Sequence, residues 1–134
     1  MADTFRLDIA KFAAKAGANA ELVVRKISID LFTKTIKRTP VDTGRARANW
    51  NTSVNAPDVG VTQTTDTSGV AAIGEVKARI GNWKQGDIYL TNSLPYIRRL
   101  EYDGWSKQAP AGMVRVTVTE FQTFVDNAVR SLPK

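Results

Sequence analysis

The chain has 134 residues, and it contains neither cysteine nor histidine. Without cysteine, no disulfide framework and no thiolate metal site can form. Without histidine, the commonest general base near neutral pH and the commonest zinc ligand are both missing. Nucleophilic systems of the Ser–His and Cys–His types are therefore excluded. We expect no catalytic residues, no bound metal and no cofactor.

A long hydrophobic run is also missing, because no apolar stretch approaches the ~20 residues that a membrane-spanning helix needs. Charged residues interrupt the apolar positions of residues 1–17, so this segment lacks the hydrophobic region of a signal peptide. These two features predict a soluble protein that is made in a cytoplasm and has no membrane partner.

The charge is basic, with a net value of +6. The basic residues crowd into a basic stretch from Arg25 to Arg47, whose only acidic residues are Asp30 and Asp42. Its basic residues are Arg25, Lys26, Lys34, Lys37, Arg38, Arg45 and Arg47. Such a charge suits an acidic partner, which is nucleic acid, a membrane surface or an acidic protein face, and it equally serves solubility.

The length and the 43% of hydrophobic residues favour one core, so we expect residues 1–134 to form a single domain. Helical spacing of apolar residues predicts a first helix over residues 4–16 and a long second helix over residues 20–38. The second helix should end before Pro40, because a proline disfavours helical conformation in the residue before it.

Alternation of apolar and polar residues predicts three strands. The first covers residues 45–54, with Trp50 toward the core and Arg45 and Arg47 toward solvent. The second and third cover residues 72–82 and 87–92, and they should pair as a hairpin.

The remaining segments are a loop and two helices. Residues 55–69 are polar and threonine-rich, and a loop of this length is uncommon inside a compact domain. We therefore expect this loop to order only against a neighbouring subunit, if it orders at all. A short helix should begin at Ser93, and residues 113–132 have the spacing of an amphipathic helix, although residues 114–119 are rich in β-branched side chains.

These elements predict an α+β fold. A small antiparallel sheet of about three strands should be packed by the long helix of the N-terminal half and by the C-terminal amphipathic helix. The corner after the long helix is structural: Asp42 can accept backbone hydrogen bonds in an Asx-turn, Gly44 can take a positive φ, and Pro40 and Trp50 frame the turn.

Two segments resemble a family of phage proteins. One is RTPVDTGRARANW, from Arg38 to Trp50, and the other is NSLPYIRRLEYDGWSKQAPAGM, from Asn92 to Met113. Neck, tail-completion and minor tail proteins of long-tailed phages, among them relatives of the lambda-type minor tail protein Z, have a similar corner after a long helix. They also have a similar "PYxxxxEyG" stretch and a closing helix. The chain departs from this pattern at Ala46, where leucine is common, and at Asp103, which separates Tyr102 from the glycine.

The resemblance implies a structural virion protein at the head–tail junction that completes the tail or joins it to the head connector. It also implies a homo-oligomeric ring, and a hexamer is one ring size that fits the resemblance. The implied partners are the tail-tube or tail-terminator protein and the connector proteins of the head. DNA would pass through as cargo without sequence-specific binding, and the protein would be assembled into virions in the host cytoplasm.

Several side chains are candidates for contact between subunits or with a partner: Arg45, Arg47, Arg98, Arg99, Glu101, Trp105 and Lys107. The arginines suit bidentate contacts with carboxylates, although a solvated face or contact with DNA phosphates also fits them. Trp105 is either an interface anchor or a side chain folded back on the domain. Glu101 with Asp103 is either a pair of acid/base carboxylates or, as we favour, a solvated helix end or a partner for Arg98 or Arg99.

The main alternative function is a small basic nucleic-acid-binding module, supported by the net charge and by the basic stretch. Aromatic residues do not interleave with that stretch as base-stacking platforms would require. A carboxylate-dependent enzyme is the third hypothesis, and the possible acids form no convincing constellation.

Overall fold

The computed structural model describes the backbone of residues 3–5 and of Ala20, and the whole of residues 21–131. Over these residues the chain forms α1 (Ala20–Arg38), α2 (Arg45–Ala48), α3 (Val70–Ile80), α4 (Ile97–Tyr102), α5 (Val114–Thr119) and α6 (Phe121–Ser131). The strands are β1 (Asp3–Phe5), β2 (Asn51–Val54) and β3 (Ile88–Asn92). The predicted α+β class, with a small antiparallel sheet and helices packed around it, is confirmed.

The central strand of the sheet is β3, which pairs antiparallel with β1 on one side and β2 on the other. Leu90 is the Cα partner of Phe5 in β1 and of Thr52 in β2. The helix predicted over residues 4–16 is therefore wrong at Thr4 and Phe5, and residues 6–16 of that prediction lie outside the described residues.

The helix α1 has the bounds that were predicted, and it is the main support of the core. Val23, Ile27 and Leu31 follow one another at intervals of four residues, and all three are buried. They help α1 to pack against α3, α5 and α6, while α3 also packs against β2. Since a fully buried aliphatic side chain contributes about 1.5–3 kcal/mol, packing stabilises α1 more than helix propensity does.

The strand predicted over residues 72–82 is wrong, because this segment belongs to α3. Alternation would bury Ala78 together with Val76 and Ile80, but Ala78 is exposed, and Ala72 is buried instead. Intervals of four residues therefore define the buried face. The Asp66 carboxylate caps the N-terminus of this helix, because it accepts hydrogen bonds from the backbone N–H groups of Gly69 and Ala72, both at 3.1 Å. The predicted hairpin is accordingly wrong, and β3 pairs with β2 instead.

The strand predicted over residues 45–54 is correct only from Asn51 onward, because its first half forms the single helical turn α2. The N–H of Ala48 donates to the Gly44 carbonyl at 3.1 Å, which closes that turn. The Asn49 side chain donates to the carbonyl of Arg45 at 2.8 Å, and the chain then enters β2. A short alternating run has the period of a strand, but alanine and arginine favour helices. Such a run therefore fits a helix as well as a strand.

The amphipathic helix predicted over residues 113–132 is divided into α5 and α6 at Glu120. The hydroxyls of Thr117 and Thr119 donate to backbone carbonyls at 2.7 and 2.6 Å, those of Met113 and Val116. Such bonds compete with the regular helix pattern, and the β-branched residues of α5 propagate a helix poorly. The short helix that was predicted from Ser93 begins later, at Ile97.

Candidate interaction surface

The corner after α1 and the loop after α4 line opposite sides of one open groove, with a volume of about 660 Å³. The corner contributes residues 40–46, and the other side is formed by Tyr96, Leu100 and residues 105–108. These stretches come from the two sequence segments that resemble the phage family. The fold therefore brings the two segments together in space.

A side-chain amide joins the two sides of the groove. The Gln108 Nε2 atom donates to the Val41 carbonyl at 3.0 Å, and the Val41 N–H donates to Gln108 Oε1 at 2.9 Å. The amide thus satisfies both backbone groups of one residue, as a neighbouring strand would do. This pairing links residues that are far apart in the sequence and fixes the distance between the corner and the loop.

The corner itself is shaped by buried hydrogen bonds and by one glycine. The indole N–H of Trp50 donates to the Thr39 hydroxyl at 2.8 Å, and Trp50 lies in the core as predicted. Gly44 has a φ of 91°, and a Cβ there would lie 2.7–2.8 Å from backbone atoms of Asp66 and Thr67. The predicted positive φ of Gly44 is therefore confirmed, and the close approach of a second backbone adds a further reason for glycine.

The Asx-turn that was predicted at Asp42 is wrong. The N–H of Arg45 donates to the Thr43 hydroxyl at 3.3 Å, so a threonine supplies the local turn acceptor. The Asp42 side chain is exposed and lines the groove beside the buried Pro40. Its carboxylate is thus placed where it can contact another molecule.

Arg47 is a structural residue of the corner rather than a solvent-facing one. Its Nε donates to the carbonyl of Thr39 at 2.9 Å, its Nη1 to that of Thr67 at 2.8 Å and its Nη2 to that of Lys37 at 2.8 Å. Arg45 is half-buried as well. The prediction that both arginines point toward solvent from a strand is therefore wrong, and Arg47 connects the end of α1 to the following loop.

Residues 55–69 form no helix or strand, but they are bound to the rest of the chain. The Asn49 side chain pairs with both backbone groups of Thr62 at 2.8 and 3.0 Å, and Arg45 Nε donates to the same carbonyl at 3.2 Å. Asn51 donates to two further loop carbonyls at 2.8 and 3.2 Å. The expectation that this loop orders only against a neighbouring subunit is therefore wrong.

Glu101 caps a helix from the interior. This residue is only 4% exposed, and its Oε1 accepts hydrogen bonds from the N–H groups of Met113 at 3.1 Å and Val114 at 2.7 Å. Its Oε2 accepts from the N–H of Arg115 at 3.2 Å and from the Arg115 Nε at 3.1 Å. The interpretation of Glu101 as a solvated helix end is therefore wrong, because Glu101 is buried and pairs with Arg115.

Around the loop after α4 lies a group that we call the arginine–aromatic surface: Arg98, Arg99, Tyr102, Trp105 and Arg115. Trp105 is 59% exposed and Tyr102 is 50% exposed. The guanidinium carbons of Arg98 and Arg115 lie 5.2 and 4.9 Å from the centre of the Tyr102 ring, and that of Arg99 lies 5.6 Å from the Trp105 ring. These are cation–π distances.

Trp105 combines the two roles that the sequence left open. Its ring centre lies 6.2 Å from that of Tyr96, in a tilted arrangement, so the indole contacts its own domain. More than half of its surface nevertheless remains accessible, and it lines the groove together with the exposed Lys107. The tryptophan is therefore held in place and still presents apolar area to a partner.

The basic stretch is largely engaged within the chain. Arg25 pairs with Glu21 at 2.8 Å, Lys26 with Asp30 at 3.2 Å, and Arg38 with Glu120. Together with Arg45 and Arg47, five of the seven cations are thus bound to groups of the same molecule, and the two others, both exposed, are Lys34 and Lys37. The stretch therefore does not form one open basic face.

The structure gathers most of the predicted site residues in one region. Those that line the groove are Pro40, Asp42, Gly44, Arg45, Trp105 and Lys107. Arg98 and Arg99 stack beside it, whereas Arg47, Trp50 and Glu101 lie behind it as supports. Sequence reasoning missed Gln108 and Arg115, because their partners are distant in the chain and leave no local pattern.

The region offers charges, ring faces and backbone groups that another macromolecule can contact. Over the residues that the structure describes, no cluster of acidic side chains is placed to hold a metal ion. Within the same residues, no helix is both long and apolar enough to span a bilayer. Compared with known proteins, the chain matches no family model, no curated protein and no solved structure.

Proposed function

We propose that this protein is a structural virion component at the head–tail junction of a long-tailed bacteriophage. In this role it completes the head-proximal end of the tail, joins the tail to the head connector, or does both. It acts as a ring of identical subunits, and its other partners are the tail-tube or tail-terminator protein and the connector proteins. DNA passes through the ring without sequence readout, and the protein works by contact rather than catalysis.

The observation that carries this proposal is the meeting of the two family-like segments at one groove. They are separated by β2, by the loop of residues 55–69, by α3 and by most of β3, and the pairing of Gln108 with Val41 holds them together. If the two segments formed only local turns, there would be no reason for both of them to line the same groove. Their proximity supports the interpretation that they form one functional face.

The composition of this face also supports an assembly role. Trp, Tyr and Arg dominate the energetics of protein interfaces, and here Trp105 and Tyr102 are at least half exposed beside arginines. A ring closes through heterologous contacts, in which one face of a subunit meets a different face of the next. An aromatic face at a groove is suited to one side of such a contact.

The nucleic-acid alternative has less support from the structure than from the charge. Its main argument was the basic stretch, in which Arg38 pairs with Glu120 and Arg47 is bound to three carbonyls. These guanidinium groups already have partners in their own chain, so phosphates would have to compete for them.

Sedimentation velocity of the purified protein, alone and with tail-tube protein from the same phage genome, tests the proposal. We expect concentration-dependent rings or a complex with the tube, and the change of Trp105 to Ala should weaken assembly by at least about tenfold, since interface tryptophans are typical hot spots. Val70→Ala is the matched control, because Val70 is 70% exposed and lies outside the groove. A protein that stays monomeric and ignores tail tubes would contradict the proposal.

A further inference from the structure

We infer that two exposed valines of the loop of residues 55–69, Val59 and Val61, bind in the groove of a second copy of this chain. This inference rests on the proposed function, since it names the two surfaces through which neighbouring subunits of the ring meet. Four features support it: the way in which the loop is held, the apolar area that it presents, the groove that its own chain leaves open, and the charges of the two surfaces.

The first part of the loop is fixed by hydrogen bonds although all of its residues, 55–61, are exposed. Asn51 Nδ2 donates to the Gly60 carbonyl at 2.8 Å, between the two valines. Asn49 pairs with both backbone groups of Thr62, which follows the second valine, at 2.8 and 3.0 Å. Ordering the backbone of one residue costs about 1–2 kcal/mol. A loop that is already ordered loses less of its binding free energy in this way, so the segment is prepared for contact.

The same segment presents apolar side chains to solvent. Val59 is 60% exposed and Val61 is 51% exposed, and Ala56 and Pro57 beside them are exposed as well. Over the described residues, the other large hydrophobic side chains that are exposed are Leu22, Val70, Tyr102 and Trp105. Single exposed apolar residues are ordinary, whereas neighbouring ones mark an interaction site. The loop therefore has the composition of a contact surface.

The groove is the concave surface that can receive these valines. Pro40, Tyr96, Leu100 and Trp105 give its lining an apolar part, and no residue of the loop lines it. The hydrogen bonds of the loop to Asn49 and Asn51 hold the valines beside β2, so they do not fill the groove of their own chain. A heterologous ring contact requires two unlike surfaces of this kind, a projection on one subunit and a recess on the next.

The charges of the two surfaces favour this pairing over a contact between two loops. Residues 55–69 include two acidic residues, Asp58 and Asp66, and no basic residue. The groove is lined by two basic residues, Arg45 and Lys107, and by one acidic residue, Asp42. The excess of positive charge in the groove is small, so the valines supply the affinity. Two loops would meet with like charge, and the loop of one copy therefore fits the groove of another.

Site-directed crosslinking tests the contact on the full-length protein, because the chain has no cysteine of its own. Val61→Cys places a thiol on the loop, and Lys107→Cys places one at the groove. With a short bismaleimide, we expect covalent dimers when the two variants are mixed and only background from either variant alone. The double variant Val61→Cys/Lys107→Cys should give a ladder of multimers on a denaturing gel, because each copy then links to the next.

The matched control for the crosslinking is Lys107→Cys mixed with Thr123→Cys, whose thiol lies at an exposed position of α6. This mixture should give only background. Dimers from Val61→Cys alone or from Lys107→Cys alone, as abundant as those of the mixed pair, would overturn the inference. Such dimers would show that loop meets loop or that groove meets groove.

Serine variants measure what the valines contribute to assembly. We expect Val59→Ser/Val61→Ser to weaken ring formation in sedimentation velocity by at least about tenfold, because both apolar side chains lose their burial against the groove. Val70→Ser is the matched control, since Val70 is 70% exposed and lines no part of the groove, and it should change assembly less than about twofold. Far-UV circular dichroism checks that the variants remain folded. Rings that survive Val59→Ser/Val61→Ser while binding to the tail tube is lost would overturn the inference in favour of a different protein as the partner of the loop.

The outcomes distinguish this inference from the proposed function. If rings form but the mixed pair gives no more dimer than the control, the contact between loop and groove is refuted while the assembly role stands. If the mixed pair is crosslinked but no complex with tail tubes forms, the contact between copies stands and the role at the head–tail junction fails. A protein that stays monomeric and gives no crosslinked dimers would refute both.

Discussion

Arginines of the corner and arginines of the arginine–aromatic surface carry the same group in opposite surroundings. Arg47 directs three donors at carbonyls of its own chain, at 2.8–2.9 Å. Arg99 instead lies over an indole that is 59% exposed. Arg47 donates to carbonyls that have no backbone donor, whereas Arg99 keeps donors for another molecule. An arginine in a conspicuous motif is therefore an interface candidate only if its own chain leaves it donors to spare.

The difference arises from where the helices end. The last carbonyls of α1 have no partner within the helix, and the side chains that follow supply donors for them. Arg47 reaches the Lys37 carbonyl, and the Thr39 hydroxyl reaches the Thr35 carbonyl at 2.8 Å. At the arginine–aromatic surface, the unpaired backbone groups are N–H groups at the N-terminus of α5, and the buried Glu101 carboxylate accepts hydrogen bonds from them. Arg115 also donates to the Glu101 carbonyl near the end of α4, whereas Arg99 lies over the exposed ring of Trp105.

Removal of the Glu101 carboxylate should have the largest effect on stability, and it also frees Arg115 from its internal partner. We expect Glu101→Gln to lower the free energy of unfolding by about 3 to 4 kcal/mol, because a buried amide would face donors that now meet a carboxylate. Urea denaturation followed by tryptophan fluorescence measures this loss. The control is Asp103→Asn two residues further on, which removes the same charge from an exposed side chain and should cost less than about 0.5 kcal/mol. Equal effects would show that Glu101 is not the cap of α5.

Two glycines sharpen the comparison between a strained corner and an open helix face. Gly44 combines a φ of 91° with the nearby backbone of residues 66–67, so Gly44→Ala should destabilise the protein by about 2 to 3 kcal/mol. Gly74 lies in α3, and a methyl group there would have nothing within 4 Å, so Gly74→Ala should stabilise the protein by about 0.5 to 1 kcal/mol. Thermal unfolding of both variants gives opposite signs if the corner is built as described. A loss of the same size at both positions would mean that the close approach at Gly44 is unimportant.

Residue spacing was sufficient for the long helix and misleading for the short elements. Over the length of α1, only a helix places Val23, Ile27 and Leu31 on one face. In α3, the few apolar residues fit both an alternating and a helical pattern, and the decisive cap comes from Asp66, which precedes the helix by several residues. Local periodicity cannot distinguish the two structures in so short a window.

The candidate site was predictable only where it is local. The positive φ of Gly44 and the core position of Trp50 follow from neighbouring residues. The pairing of Gln108 with Val41 and the burial of Glu101 under Arg115 depend on how distant segments pack. A side chain that satisfies a distant backbone group leaves no periodic trace in the sequence, so these supports required the structure.

The smallest of the expected effects tests the two classes of arginine directly. Arg47→Ala leaves the carbonyls of Lys37, Thr39 and Thr67 without their charged donor, and we expect it to lower the free energy of unfolding by about 2 kcal/mol. Arg99→Ala removes one cation–π contact at an exposed ring and should cost about 0.5 kcal/mol. Urea denaturation measures both losses, and sedimentation velocity measures assembly by the same two variants.

The comparison predicts a crossed result for this pair, with Arg47→Ala reducing stability and sparing assembly, and Arg99→Ala doing the reverse. Because both changes remove one positive charge, general electrostatics cannot produce such a crossing. If Arg99→Ala proved as destabilising as Arg47→Ala, the guanidinium on Trp105 would be part of the fold, and no donors of that arginine would remain for a partner.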